Sequence, residues 1–280
     1  MTTYAEKLAD LKAKSRYAAP IRRHDTARGH SYKDANGTRV PGVTTLIGDG
    51  VPKPALINWA ANVTAEGAVN DWDSLGDMKP AARLKHLQGV RYAEKDKAAK
   101  RGTEVHKAAE RLQAGDAVQV PEEIAGHVEA YARFLDDFKV EPVHAEFSCI
   151  SYTWGYAGTA DLCAWLQLPE HGRSLLILDL KTSRSGIFGE TALQLAAYRY
   201  ADVWVTADGQ EIEPAVCDYA VGIHVRGDGY DLLPVEADRL QHKAFLYAAR
   251  VADWSKSSRD LVGGPVTSPT SSTFRLIREA

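Results

Sequence analysis

The chain has few cysteines, and their spacing gives them no shared role. It contains three in 280 residues, Cys149, Cys163 and Cys217, and no CxxC arrangement. An odd number of widely separated cysteines argues against a disulfide framework and against a zinc or iron–sulfur ligand set. We therefore expect three reduced thiols in the core.

The chain also lacks long apolar segments and a signal sequence. No stretch approaches the roughly 18 consecutive apolar residues of a membrane span. The N-terminal sequence MTTYAEKLADLKAK has no apolar centre of the kind found in signal peptides. These absences predict a cytoplasmic protein with no membrane partner.

A strong excess of one charge is missing as well. The formal net charge of −3 gives no global basic surface of the kind that many nucleic-acid-binding proteins show. Basic residues do cluster locally, and such clusters are most often solvated faces. They are Arg22, Arg23 and Arg28, and further along Lys95, Lys97, Lys100, Arg101 and Lys107.

The hydrophobic content is sufficient for a substantial core. At 45% hydrophobic residues the chain is typical of a globular protein, and we expect one domain over residues 1–280. Residues 1–140 should form an N-terminal, mainly helical part with a hairpin, and 141–254 an α/β core. The low-complexity sequence of 255–280 predicts a flexible tail.

Local patterns predict the elements. Asn36-Gly37 favours a hairpin with two short strands within 30–47. Pro54, Pro80 and Pro121 each begin a predicted helix, and a separate charged helix is expected at about 91–114. Strands are predicted at 143–151, 157–166, 174–182, 216–225 and 229–235, with helices at 190–204 and 236–254. This order indicates an α/β fold with helices on the faces of a sheet.

The sequence ILDLKTS at 177–183 places two charges at the end of a buried strand. Side chains alternate along a strand, so Asp179 and Lys181 share one face and Leu180 lies on the other. Buried charges are costly unless they are paired. A plain ion pair is therefore one interpretation of these two residues.

A second carboxylate favours a different interpretation. Asp161, in AGTADLCAWL, lies on the preceding predicted strand and can approach Asp179 if the register allows. At about 4 Å and an effective dielectric near 20, two such charges repel by about 4 kcal/mol. A divalent cation such as Mg²⁺ would relieve that repulsion. Lys181 could then orient an attacking water and offset charge on a phosphate.

The charged helix offers a third group. Gly102, His106 and Glu110 follow one another at four-residue intervals and so share a stripe on the helix. A lone histidine on a helix is more often a surface or cap residue, but here His106 could add a ligand that suits manganese as well as magnesium. Glycine costs about 1 kcal/mol relative to alanine inside a helix, which is tolerable if something must approach Gly102 closely.

Gln194 and Tyr198 are neighbours on the helix that follows ILDLKTS. The loop SRSGIFGE leads to the N-terminus of this helix, where backbone N–H groups could bind a phosphate. A helix cap and a half-buried tyrosine explain the same two residues equally well.

Four blocks in this order resemble the PD-(D/E)XK nuclease superfamily, in particular its RecB-like branch of phage exonucleases. Its members include CRISPR-associated and mitochondrial genome maintenance exonucleases. The blocks are Gly102…His106…Glu110, Gly158-Thr159-Ala160-Asp161, Asp179-Leu180-Lys181 and Gln194…Tyr198. Upstream, VPGVTTLI and KPALINWAAN resemble the opening of several phage and mitochondrial members. The resemblance implies a restriction-endonuclease-like mixed β-sheet core flanked by helices.

The resemblance also implies roles for individual residues. The metal, Mg²⁺ or Mn²⁺, would be held by His106, Asp161, Asp179 and the Leu180 carbonyl. Catalysis would depend on Lys181 with Asp161 and Asp179. The DNA-facing residues would be Gln194, Tyr198 and Arg184, with Glu146 and Glu110 as secondary acids.

Some positions depart from the family pattern. Asp179 stands where glutamate is more usual, and Gly42 stands where serine is typical. The four cysteines that hold an iron–sulfur cluster in some relatives are missing, so no such cluster is predicted. No helicase motif accompanies the blocks.

The expected function is that of a metal-dependent DNA exonuclease in phage recombination, replication or repair, in the host cytoplasm if phage-encoded. Besides DNA, the expected partners include a single-strand annealing or binding protein and further copies of the chain. An endonuclease on the same fold and an inactive DNA-end-binding protein are the alternatives.

Overall fold

The computed structural model describes residues 2–26 and 29–265. Over these residues a seven-stranded sheet has the order β10-β9-β6-β5-β4-β7-β8. The β6–β9 pair is parallel, and the other neighbouring pairs are antiparallel. The strands are β4 Glu141–Ser151, β5 Tyr156–Leu168, β6 Gly172–Lys181, β7 Val203–Val205, β8 Glu211–Ile212, β9 Tyr219–Val225 and β10 Tyr230–Pro234.

A smaller antiparallel sheet precedes the main one and has the order β1-β2-β3. Its strands are β1 Arg22–Thr26, β2 Gly29–Lys33 and β3 Arg39–Val40. The helices are α1 Tyr4–Lys14, α2 Val43–Gly50, α3 Pro54–Asn70, α4 Trp72–Gly76, α5 Pro80–Gln113, α6 Glu122–Asp137, α7 Glu190–Arg199 and α8 Arg239–Ser257, followed by a 3₁₀ helix at Ser258–Leu261.

Strand β6 is buried on both faces, which explains its nearly continuous apolar sequence. Leu178 and Leu180 pack into a cluster with Val105 of α5 and with residues of α6. Ile177 packs on the opposite face, in a cluster that includes Leu195 of α7 and residues of α2 and α8. The main sheet therefore has helices on both faces.

The small sheet is attached to the end of β4 and β5. Ile21, Tyr32 and Val40 pack with Ile150 and Ala157 in a third cluster. All five side chains are at most 3% exposed. This packing fixes the small sheet against the same end of β4 and β5 that carries the candidate site.

The structure confirms the predicted α/β class and a mixed sheet flanked by helices. It also confirms the hairpin at Asn36-Gly37, where Gly37 has a φ of +80° that favours glycine. The three strands predicted from 143 to 182 correspond to β4, β5 and β6. These three strands were predicted from alternating apolar residues bounded by turns.

Several element predictions were wrong. Helix α2 begins at Val43, although the hairpin strands were expected to extend to residue 47, and α5 is one helix of 34 residues, where two were expected. The helix predicted to reach 204 ends at Arg199, because β-branched residues and a tryptophan in Val203–Val205 pair with β4. The predicted flexible tail begins too early, since α8 continues to Ser257. Residues 266–280 of that tail and Arg28 of the basic cluster lie outside the described residues.

Among residues 2–26 and 29–265, no helix combines the length and the apolar character needed to cross a membrane.

Candidate active site

The candidate site lies where β5 and β6 part. Their ladder runs from Leu168 opposite Gly172 to Leu162 opposite Leu178, and β6 then continues beside β9 as far as Lys181. Beyond the end of the ladder, the Asp161 carboxylate replaces a backbone partner. Its Oδ2 accepts a hydrogen bond of 2.7 Å from the Leu180 N–H. The separation of the strands thus directs Asp161 towards the end of β6.

The register of β4 and β5 places Glu146 opposite Asp161, and the backbone of Glu146 is irregular. Ala145 pairs with Leu162 and Phe147 with Ala160, so Glu146 and Asp161 occupy the intervening position. Glu146 has a φ of +47°, in the left-handed region that few residues other than glycine adopt. Such strain persists where the surroundings fix it, and it is common at functional sites.

His106 completes a group of three possible metal ligands. Its Nδ1 lies 3.5 Å from Asp161 Oδ1. His106, Glu146 and Asp161 each offer one ligand atom, and these three atoms lie within 4.8 Å of one another. Carboxylate oxygens suit Mg²⁺, and a mixture of imidazole and carboxylate suits Mn²⁺. The donor set therefore fits either ion.

Asp179 and Lys181 belong to a neighbouring network. Lys181 Nζ lies 2.5 Å from Asp179 Oδ2, an ion pair without the geometry of a hydrogen bond. Gln194 Nε2 donates to Asp179 Oδ1 at 2.6 Å and to the Tyr198 hydroxyl at 3.2 Å, and Lys181 Nζ donates to Gln194 Oε1 at 3.3 Å. Gln194 thus holds the two charged residues of β6 from the α7 side.

The two networks divide the predicted metal ligands. His106 and Asp161 lie in the three-ligand group, together with Glu146, which the sequence offered only as a secondary acid. Asp179 instead contacts Lys181 and Gln194, and the side chain of Leu180 is buried in the cluster beside α5 and α6. Coordination by Asp179 and by the Leu180 carbonyl remains a prediction.

Burial and charge act together on the acids and on His106. Burial, opposed by Lys181 and reinforced by Asp161, raises the pKa of Asp179 to about 6. Burial lowers the pKa of His106, but the charges of Asp161, Asp179 and Glu146 outweigh it and raise that pKa to about 9. Burial is therefore the main cause of the raised pKa of Asp179, whereas the neighbouring carboxylates cause the raised pKa of His106.

Glu146 and Asp161 shift in opposite directions. Burial and the charge of Asp161 raise the pKa of Glu146, although Arg23 acts against them. Burial alone would raise the pKa of Asp161, yet His106, Lys181 and the Leu180 N–H hold it below its usual value. Asp161 is therefore the acid of this pair that is more strongly held in its charged form.

A cleft of about 1080 Å³ opens above both networks. One wall is formed by the small sheet and the other by α5. The lining includes Arg23, Tyr32 and Arg39 on the first wall, Lys100, Gly102, His106, Lys107 and Glu110 on the second, and Gln194 and Tyr198 at the base. The stripe predicted on α5 does face this space.

Arg184 is the one predicted DNA-facing residue outside the cleft lining. It is exposed in the loop after β6.

The sequence did not indicate two site residues on the small sheet. Arg23 NH1 donates to Glu146 Oε2 at 3.0 Å, and the Tyr32 hydroxyl lies 2.7 Å from Thr159 Oγ1. No local pattern marks these long-range contacts.

Comparison of the sequence with models of known protein families gives no match, and comparison with curated proteins gives none either.

Proposed function

We propose that the chain is a Mg²⁺- or Mn²⁺-dependent deoxyribonuclease, an exonuclease of the PD-(D/E)XK superfamily with a restriction-endonuclease-like fold. The observation that carries the proposal is the meeting of Asp161, Asp179 and Lys181 where β5 and β6 part, beside His106 and at the base of an open cleft. A metal-assisted phosphodiester hydrolase needs acids that hold a metal ion and a fixed positive group, both at a place that the phosphate can reach.

In this proposal His106, Glu146 and Asp161 hold the metal ion, with Asp179 and the Leu180 carbonyl as further candidates. When bound, such an ion lowers the pKa of a water and polarises a phosphoryl oxygen. Lys181 orients the attacking water and offsets the charge that develops on the phosphate. Asp179 and Gln194 keep the Lys181 ammonium in place.

The cleft walls supply contacts to the DNA backbone. Lys100 and Lys107 on α5 and Arg39 on β3 line the cleft, and cations of this kind bind phosphates without reading sequence. Gln194, Tyr198 and Arg184 are the remaining proposed DNA contacts. A cytoplasmic location, a single-strand annealing or binding partner and self-association belong to the same proposal.

The test is incubation of end-labelled linear DNA and closed circular DNA with Mg²⁺ or Mn²⁺. We expect loss of nucleotides from the ends of linear DNA, intact circles, and no cleavage when the metal is chelated. Asp161→Asn should abolish cleavage, whereas Asp253→Asn, which changes an exposed acid on α8, should cleave like the parent.

The other outcomes separate the alternatives. Cleavage of circles would favour an endonuclease on the same fold. Binding of DNA ends without turnover, with Mn²⁺ bound, would favour a protein that has lost the chemistry.

A further inference from the structure

The small sheet is fixed to the main sheet next to Arg23. Ile21 is fully buried, and its N–H donates to the Tyr152 hydroxyl at 3.2 Å. Arg22 NH1 lies 3.3 Å from Glu211 Oε1 on β8. Residues on the chain immediately before Arg23 therefore set its position relative to β4 and β5.

The Arg23 guanidinium joins three oxygens at the edge of the cleft. NH1 donates to Glu146 Oε2 at 3.0 Å and to Thr159 Oγ1 at 3.4 Å, and Nε donates to Asp25 Oδ1 at 2.8 Å. Tyr32, opposite Arg23 in the β1–β2 register, also contacts Thr159. A planar guanidinium suits such a fixed arrangement better than an ammonium.

Glu146 needs an external constraint to serve as a ligand. It lies opposite the charged Asp161, which repels it, and it is only partly buried, with 26% of its side chain exposed. Without a partner the carboxylate would turn into the open cleft, away from Asp161 and His106. The Arg23 NH1 group, which donates both to Glu146 Oε2 and to Thr159 Oγ1 on β5, supplies that constraint by fixing one carboxylate oxygen in place.

We propose that Arg23 is a positioning residue for the metal centre. It holds Oε2 of Glu146 and leaves the second carboxylate oxygen to a divalent cation shared with His106 and Asp161. The small N-terminal sheet is then part of the site. This inference rests on the proposed function, since it requires the metal centre. Removal of a residue that orients a metal ligand typically weakens metal affinity about 10- to 100-fold.

The test is Mn²⁺ affinity, measured by calorimetry on the full chain without DNA. Arg23→Gln should weaken binding about 10- to 100-fold, and Arg23→Lys should restore part of the loss. Arg250→Gln, which removes an exposed arginine of α8 away from the cleft, should bind Mn²⁺ like the parent. Near-ultraviolet circular dichroism would verify the fold of each variant.

A double-mutant cycle distinguishes positioning from a general loss of structure. If Arg23 acts through Glu146, Arg23→Gln should cause no further loss of affinity in a Glu146→Gln background. If Arg23→Gln does not fold, Arg23→Lys carries the test and should bind Mn²⁺ more weakly than the parent.

Two results would overturn the inference alone: unchanged or tighter Mn²⁺ binding by the folded Arg23 variants, or an equal loss in the Glu146→Gln background. A parent chain that binds no Mn²⁺ would overturn the metal-dependent function together with it.

Discussion

At the scale of residues, each of the three carboxylates of the site lies beside a positively charged group. One of these positive charges is a proton on His106, which a metal ion could displace. Lys181 and Arg23 each pair with one acid, Asp179 and Glu146 respectively. The third, Asp161, lies beside His106, whose pKa these acids raise to about 9. At neutral pH the imidazolium therefore provides the third positive charge, in the position where the ligand group would hold a cation.

This balance predicts how Mn²⁺ affinity depends on pH. Below a pKa of about 9 His106 is charged, so the ion must displace its proton in order to bind the imidazole. Rising pH removes that competition, and apparent affinity should increase about tenfold per pH unit between pH 7 and 8.5.

Calorimetry in two buffers of different ionisation enthalpy measures the proton released with each ion. The control is His106→Asn, which should bind more weakly and without this pH dependence. A parent affinity that stays constant over the range would contradict the assignment of His106 as a ligand.

At the scale of elements, the close approach of α7 to β5 sets the position of Gln194. Gly158 of β5 lies under the Tyr198 ring, and a Cβ there would fall 2.3 Å from Tyr198 Cε1. One turn earlier on α7, Gln194 contacts Asp179 and Lys181. The absence of a side chain at Gly158 therefore lets α7 reach the charged end of β6.

Gly158→Ala should lower the free energy of unfolding by about 1–3 kcal/mol, because the new methyl group displaces a fully buried ring. Gly102→Ala on α5 is the matched control. A Cβ there would meet Thr182 Oγ1 at 3.4 Å, an ordinary contact, so the gain in helix propensity should stabilise the chain by up to about 1 kcal/mol. Urea unfolding of both variants measures the difference. Equal effects in the two would contradict this account of the packing.

At the scale of the whole molecule, sequence patterns predicted what depends on local order. Alternation identified β4, β5 and β6, and it placed Asp179 and Lys181 on one face with Leu180 buried on the other. Adjacent strands in a meander also led to the expectation that Asp161 lies near the end of β6, whereas its hydrogen bond with the Leu180 N–H was not predicted.

Long-range contacts could not be predicted in this way. Arg23 and Glu146 are 123 residues apart in the sequence, and their contact depends on how the small sheet packs. The left-handed backbone of Glu146 also has no signature in its sequence, because glutamate adopts that conformation only when its surroundings enforce it. Glu146, which the sequence indicated only as a secondary acid, therefore lies in the group of three possible metal ligands.

The most direct test of the nuclease account is the single-turnover rate at which Lys181→Met cleaves end-labelled linear duplex DNA at saturating Mn²⁺. Methionine keeps much of the side-chain length but removes the ammonium that would act on the attacking water. We expect a rate about 100-fold or more below that of the parent, with Mn²⁺ still bound, and a parental rate for Lys256→Met on the exposed face of α8. Cleavage by Lys181→Met at the parental rate would contradict the account.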